Sequence, residues 1–224
     1  MADSNLQAQA AAAGTEEISE FESLLNTQFK PKTESAKTAV HSAVKTLAEQ
    51  ALSSTKLVGD DVIASIKAII GELDRKLSEL NIVLPESGPA PVANYVPTLI
   101  EGSMVYISGQ IPFRGKELAF KGRLGAELTL EDGRAATRIV GLNMLALLKK
   151  QLDGDLDRIR RVVRIDGFVS STADFFQQAQ VMNGISDLMV EVFGDAGRHT
   201  RTAVGVNVLP LNAPCQINAE FAVS

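Results

Sequence analysis

Apolar side chains recur along the chain in two different rhythms, and the change falls near residue 80. From Glu16 to Phe29, Ile18, Phe21, Leu24, Leu25 and Phe29 stand three and four positions apart, the spacing of one helical stripe. Pro31 breaks that helix. Thr33 is suited to cap a second one, with the stripe Ala36, Ala39, Val40, Ala43, Val44, Leu47, Ala48 and Ala51, whose small side chains permit close packing. Asp60 or Asp61 starts a third, with Val62, Ile63, Ile66, Ile69, Ile70, Leu73, Leu77 and Leu80 along one side. Three such helices make a hairpin or small bundle that is marginal alone, and its stripes invite a partner. Residues 1–15 are alanine-rich with no periodic apolar face and read as a mobile tail or fraying helix.

Beyond residue 80 the punctuation changes. Pro85, Pro89, Pro91 and Pro97 exclude regular helix from 81–98, which reads as an extended linker becoming an ordered arm. MVYIS (104–108) alternates between Gly102 and Gly109 as a strand does. A turn at Gly115 leads to a second short strand around 117–121. Thr129 with Glu131 and Asp132 opens a helix. Its buried face is Ile139, Leu142, Leu145, Ala146 and Leu148 or Leu152, with Gly154 near its end. Residues 161–170 form a strand. Thr172 or Asp174 then caps a helix carrying Phe175, Phe176, Ala179, Met182, Ile185, Leu188, Met189 and Val192, closed by Gly194. Residues 202–208 and 215–223 are the last strands. The order predicts an α+β domain over 81–224, a mixed sheet with two helices on one face, preceded by an all-helical segment at 16–80. MVYIS and TAVGV carry apolar side chains on both faces, so burial of the second face by neighbouring subunits is expected.

Composition narrows the function classes. Of 224 residues, 45% are apolar and 22% charged, which excludes wholesale disorder and fibrous scaffolds. Cys215 is the one cysteine and His41 and His199 the two histidines, too few for a disulfide or a Cys/His zinc site within one chain. No metal or organic cofactor is expected. No apolar run reaches the roughly 20 residues that span a bilayer, and the N-terminus lacks a secretory pattern, so the expectation is a soluble cytoplasmic protein off the membrane. The net charge is −5. Residues 1–80 hold 8 basic and 12 acidic side chains against 14 and 15 in 81–224, so the acidity sits in the helical segment and the rest is almost neutral. A nucleic-acid partner is not expected, since phosphate needs a basic face.

The strong catalytic and nucleotide-binding signatures are absent. Met182 and Met189 with Phe175 and Phe176 are spaced as helix core rather than a ligand box. Arg158, Arg160, Arg161 and Arg164 form a local basic stretch, partly on a solvated face by strand alternation. Arg201, on spacing alone, is a surface strand residue.

Two resemblances add to this. FKPKTESAKTAVHSAVKTLAEQAL followed by DDVIASIKAIIGELDRKLSEL resembles the N-terminal segment of the large subunit of the type VI secretion contractile sheath, over residues 16–80. The match ends at Leu80, where a sheath body would follow, so it implies at most a docking segment for a secretion-sheath partner; a generic helical appendage is the alternative. SGQIP (108–112), VANYV (92–96), FVSSTADF (168–175) and RTAVGVNVLPLNAP (201–214) together resemble the Rid, or YjgF-like, family over residues 84–223. That resemblance implies a chorismate-mutase-like fold, a homotrimer with helices outside and clefts between subunits, and hydrolysis of reactive 2-imino or enamine acids to 2-keto acids and ammonia.

Carried onto this chain, the family's ligand-binding arginine is Arg201, whose planar guanidinium can hold a carboxylate by two charge-assisted bonds. Tyr95 matches an aromatic residue of the arm that covers the cleft; an arm-anchoring contact is its plainer role. Gly109 falls at a glycine where a ligand can approach the backbone. Asn183 matches a polar helix position near the site, and is otherwise an exposed or capping amide. Gln216 and Asn218 stand where catalytic members carry carboxylates. Gln216 can hydrogen-bond a water but not take its proton, and general acid–base help is worth about 10²–10⁴-fold. Glu220 is a candidate replacement if no bulge intervenes. Cys215 reads as a small buried residue. The expected function is imine deamination at Arg201 and Gln216; the alternatives are a small-carboxylate-binding protein without efficient catalysis and a scaffold docking through residues 16–80.

Overall fold

The computed structural model describes residues 71–86, 88 and 93–224. The expected tail at 1–15, the first two helices and the third as far as Ile70 lie outside the described residues. The chain divides into two units, Met1–Val83 and Leu84–Ser224. In the first, helix α1 spans Glu72–Glu79 with Leu77 buried, and the Arg75 guanidinium meets the Glu79 carboxylate at 2.6 Å, one turn along.

The second unit opens with strands β1 (Thr98–Glu101) and β2 (Met104–Gln110), an antiparallel hairpin whose turn holds Gly102 at φ +56°. Of β1 only Thr98 falls in the stretch expected as arm, and no strand was expected over 99–101; four residues between Pro97 and Gly102 are too few to display a period. The strand expected at 117–121 is the two-residue β4 (Glu117–Leu118), which pairs only with β3 (Phe113–Arg114) and stays out of the main sheet.

Helix α2 (Leu130–Gln151) begins as a capping box. The Asp132 N–H donates to Thr129 Oγ1 and the Thr129 N–H donates to the Asp132 carboxylate, satisfying two of the orphan donors of a helix start. Ile139, Leu145, Ala146, Leu148 and Leu152 are buried as expected, but Val140, Met144 and Leu147 are buried too, while Leu142 is only half-buried. A second side of the helix is covered, because Asn143 Nδ2 donates to the Phe113 carbonyl at 2.9 Å and ties the β3–β4 hairpin over it.

Strand β5 (Ile159–Ser170) is followed by a one-turn helix α3 (Gln178–Val181), helix α4 (Asn183–Phe193), strand β6 (Thr200–Val206) and strand β7 (Cys215–Val223). The helix does not start at Thr172 or Asp174. The Ser171 and Thr172 N–H groups donate to the carbonyls of Val206 and Leu124, which holds this stretch extended and leaves Phe176 83% exposed. Phe175 is half-buried and Ala179 exposed, so they leave the expected core face, whereas Met182, Ile185, Leu188, Met189 and Val192 are buried.

The sheet order is β1-β2-β7-β5-β6, antiparallel except between β5 and β6. α2 and α4 pack on one face. There Cys215, Ile217, Ala219, Phe221 and Val223 alternate with half-buried Gln216, Asn218, Glu220 and Ala222. A Cβ on Gly184 would collide with the Arg134 carbonyl of α2, so glycine sets how closely the helices approach. The other sheet face stays bare, with Tyr106 and Val204 about two-fifths exposed beside Phe168, Asp166 and Arg164.

Candidate functional site

Arg201 is the second residue of β6, a strand at the sheet edge. Its partner across β5 is Ile165, which is fully buried; alternation therefore sends both side chains toward the helices. The first turn of α4 meets it there. Arg201 Nη1 donates to Asn183 Oδ1 and to Ser186 Oγ, both at 3.0 Å. Asn183 and Ser186 are three apart and share a helix face. Both Nη1 protons are thus engaged, and Nε and Nη2 have no partner among the described residues. Those two donors point the same way, the edge of a guanidinium that binds a carboxylate side-on.

A second layer stands behind this contact. His199 Nδ1 lies 2.6 Å from the Gly197 carbonyl, and Nε2 lies 3.1 Å from Ser186 Oγ. The carbonyl only accepts, so Nδ1 carries the proton, Nε2 accepts, and the Ser186 hydroxyl donates to it. Burial holds the His199 imidazole below its usual pKa; the Gly197 carbonyl favours the protonated form, and the Arg201 charge opposes it. Sequence reasoning singled out Arg201 and Asn183 but passed over Ser186 and His199. Their signal was local: a hydroxyl one turn after Asn183 and an imidazole two positions before Arg201.

The remaining expected residues lie elsewhere. Gln216 pairs across β5 with Phe168 and belongs to the bare face, opposite to Arg201. A Cβ on Gly109 would overlap the Gln216 amide nitrogen, so what approaches the backbone at Gly109 is Gln216. Tyr95 is 40% exposed. Its arm is fastened to β2, where Ser108 donates through Oγ to the Val96 carbonyl at 2.7 Å and through its backbone N–H to the Pro97 carbonyl at 3.0 Å. The Tyr95 hydroxyl makes no hydrogen bond among the described residues. Arg201 and Asn183 are brought together; Gly109 and Gln216 form a separate pair on the other face, and Tyr95 joins neither.

Glu220 does share a face with Gln216 and Asn218, since Phe168, Asp166 and Arg164 pair with them in unbroken steps of two. Four residues along a strand is about 13 Å, too far to put its carboxylate where the Gln216 amide is. On this face Asp166 receives Arg164 Nε at 2.9 Å. Burial works against its ionisation, but bonds from Arg164, Thr202 and Asn218 outweigh it and keep the pKa low. Cys215 is a free, fully buried thiol that desolvation pushes far above the usual range, which makes it inert at neutral pH. Of the basic stretch, Arg158 is engaged with the Ser224 carbonyl and Arg164 with Asp166. Among the described residues no three His, Cys, Asp or Glu side chains are grouped to hold a metal ion, and no helix is long and apolar enough to cross a membrane.

Comparison with known proteins places this geometry. Residues 74–222 match the family described as "YjgF/chorismate_mutase-like, putative endoribonuclease". Over 150 residues the chain is 41% identical to protein TCP17 of Trypanosoma cruzi, covering 66% of this chain and 92% of that one. A Shewanella oneidensis protein solved as a "putative endoribonuclease" superposes with a TM-score of 0.65 at 35% identity, over 68% of this chain and 100% of that one. A different similarity, 54% over 71 residues, links 31% of the chain to the type VI secretion sheath protein TssC1 of Pseudomonas aeruginosa, of which it spans 14%. The chain resembles only that small part of a sheath subunit, whereas the mixed sheet, its two helices and the Arg201 cluster lie within the matched 74–222, and through them the chain belongs to the YjgF/chorismate mutase-like, or Rid, family.

Proposed function

We propose that the Leu84–Ser224 unit is a cytoplasmic Rid-type deaminase that hydrolyses reactive 2-imino and enamine acids to 2-keto acids and ammonia. The observation that carries this reading is the state of Arg201: its guanidinium is fixed through Nη1 by Asn183 and Ser186, while the Nε and Nη2 edge is open for a carboxylate. A 2-imino acid held there has its C=N carbon one bond from the anchored group, and positioning alone accelerates attack by water. The reaction needs no metal or organic cofactor.

Gln216 and Arg201 lie on opposite faces of the sheet in one chain. A site that uses both is built between copies, which fits a homotrimer with clefts at its subunit boundaries; there Gln216 orients the water, with Tyr95 and Gly109 as further substrate contacts. The amides Gln216 and Asn218 favour a second reading, a small-carboxylate-binding protein that turns over slowly. The similarity to TssC1 supports a third role alongside either, docking of residues 16–80 onto a secretion-sheath partner. A ribonuclease activity draws little support from a unit of 14 basic and 15 acidic side chains.

The test couples the full chain to an amino-acid oxidase that generates a 2-imino acid and follows ammonia release. Wild type should accelerate release and Arg201→Ala should not; equal rates for both overturn the deaminase. Titration with a 2-keto acid should raise the melting temperature of wild type and not of Arg201→Ala. A shift without turnover selects the binding protein, and no shift rejects both.

A further inference from the structure

Arg201 is anchored by neutral oxygens. Asn183 Oδ1 and Ser186 Oγ take its two Nη1 protons, and the acids of α4 and the turn after it are engaged elsewhere: Asp187 with Arg134, Glu191 with Arg138 and Asp195 with Arg198. The guanidinium is therefore fixed in orientation with its charge uncancelled, the condition a carboxylate ligand needs. Of the two anchors, the Asn183 amide oxygen can only accept, whereas the Ser186 hydroxyl can turn either a lone pair or its proton toward Nη1. We propose that His199 is the positioning residue that removes this ambiguity: by accepting the Ser186 proton at Nε2 it leaves only lone pairs of Oγ facing Arg201, and so holds the Nε and Nη2 edge open for a carboxylate; this rests on Arg201 being the carboxylate holder.

Three hydrogen bonds in series carry the orientation. The Gly197 carbonyl accepts from Nδ1 at 2.6 Å, which fixes the tautomer; Nε2 then accepts from Ser186 at 3.1 Å, and Ser186 accepts from Arg201 at 3.0 Å. Packing sets the first member. Gly197 is buried where a Cβ would overlap the Met189 carbonyl of α4, so its own carbonyl rides on a turn pressed to the helix that bears Ser186. Without an acceptor at His199, a serine inside a helix turns its hydroxyl back to the carbonyl four residues earlier, here that of Met182, and Oγ is no longer committed to Arg201.

His199 does this without adding charge. Burial and the Arg201 cation favour its neutral form, against the pull of the Gly197 carbonyl toward the protonated one. An aspartate or glutamate in its place would compete with the ligand for the guanidinium. The series runs behind Nη1, on the side of the guanidinium away from the ligand edge, so His199 acts on the ligand through Arg201 and not by contact.

The experiment titrates the full-length protein at neutral pH with pyruvate as the probe 2-keto acid and reads affinity from the rise in melting temperature, with methyl pyruvate as the control that lacks the carboxylate. His199→Leu and His199→Phe remove the acceptor, His199→Gln restores one through Oε1, and each is made in wild-type and Ser186→Ala backgrounds. Pyruvate should bind His199→Leu and His199→Phe at least about fivefold more weakly than wild type, the worth of one net hydrogen bond, and His199→Gln within about twofold. In the Ser186→Ala background, itself weakened, the same changes should alter affinity by less than about twofold, since a residue acting through Ser186 has nothing left to act on. Melting temperatures without ligand show that each variant is folded. The role falls if the apolar variants bind as wild type does, if His199→Gln loses as much as they do, or if their losses are as large without Ser186 as with it, which is what a merely structural histidine would give. Should Ser186→Ala bind too weakly to titrate, the contrast of His199→Gln with the apolar variants decides alone. Pyruvate that binds wild type no more tightly than Arg201→Ala, or no more tightly than methyl pyruvate does, removes the carboxylate holder and the role of His199 with it; Arg201-dependent binding that ignores His199 removes only the latter.

Discussion

Two glycines meet an added methyl group with opposite consequences. At Gly184 a Cβ would run into the Arg134 carbonyl and Thr137 Oγ1, which belong to the backbone and a buried hydroxyl of α2. Neither can move without parting the helices. Thr137 Oγ1 also donates to the Val181 carbonyl at 2.8 Å, so the contact is locked from both sides. Gly184→Ala should cost about 1–3 kcal/mol, as overpacked cores do, read as a fall in melting temperature. At Gly109 the obstacle is the end of the Gln216 side chain, which can swing away at little cost. Gly109→Ala should leave the melting temperature nearly unchanged and, where Gln216 serves the reaction, lower the rate of imine hydrolysis. A large loss of stability at Gly109 together with none at Gly184 would contradict these placements.

Among the elements, α2 owes its start to a side chain and α4 to its packing. Thr129→Ala removes the acceptor for the Asp132 N–H and the partner of the Asp132 carboxylate, so it should cost about 1 kcal/mol, measurable by urea denaturation with the slope unchanged. This cap was legible in the sequence because every group that makes it lies within four residues. β7 was legible for the same reason: its alternation runs unbroken from Cys215 to Val223. The start of α4 was not. Thr172 and Asp174 are good caps locally, but long-range bonds from Ser171 and Thr172 to Val206 and Leu124 override them, and no window of sequence contains those partners. The site divides likewise. Arg201 and Asn183 were singled out through family resemblance; Ser186 and His199 each stand close to one of them in sequence, but the contacts that join the four form only where α4 lies against β6.

At the scale of the molecule, the sheet of the second unit has one face under two helices and one face bare. That bare face is neither a soluble surface nor a core. Tyr106, Leu99 and Val204 are exposed by two-fifths or more, beside the ion pair of Asp166 and Arg164 and the amides of Gln216 and Asn218. Apolar side chains gathered on a sheet gain by burial against another copy, and the almost neutral charge of this unit offers no repulsion to prevent it. Val204 tests this directly. It lies on the edge strand and is 40% exposed in the single chain, where a substitution to aspartate should change stability by no more than about 0.5 kcal/mol. In a trimer that covers the face, the same carboxylate would be buried without a partner, at several times that cost. Wild type should sediment as three chains, and Val204→Asp as one with its helical circular dichroism retained; if the proposed site joins Arg201 to Gln216 across a boundary, any imine hydrolysis should be lost with the trimer. A monomeric wild type, or a Val204→Asp variant that stays trimeric and active, would show that the bare face has another use.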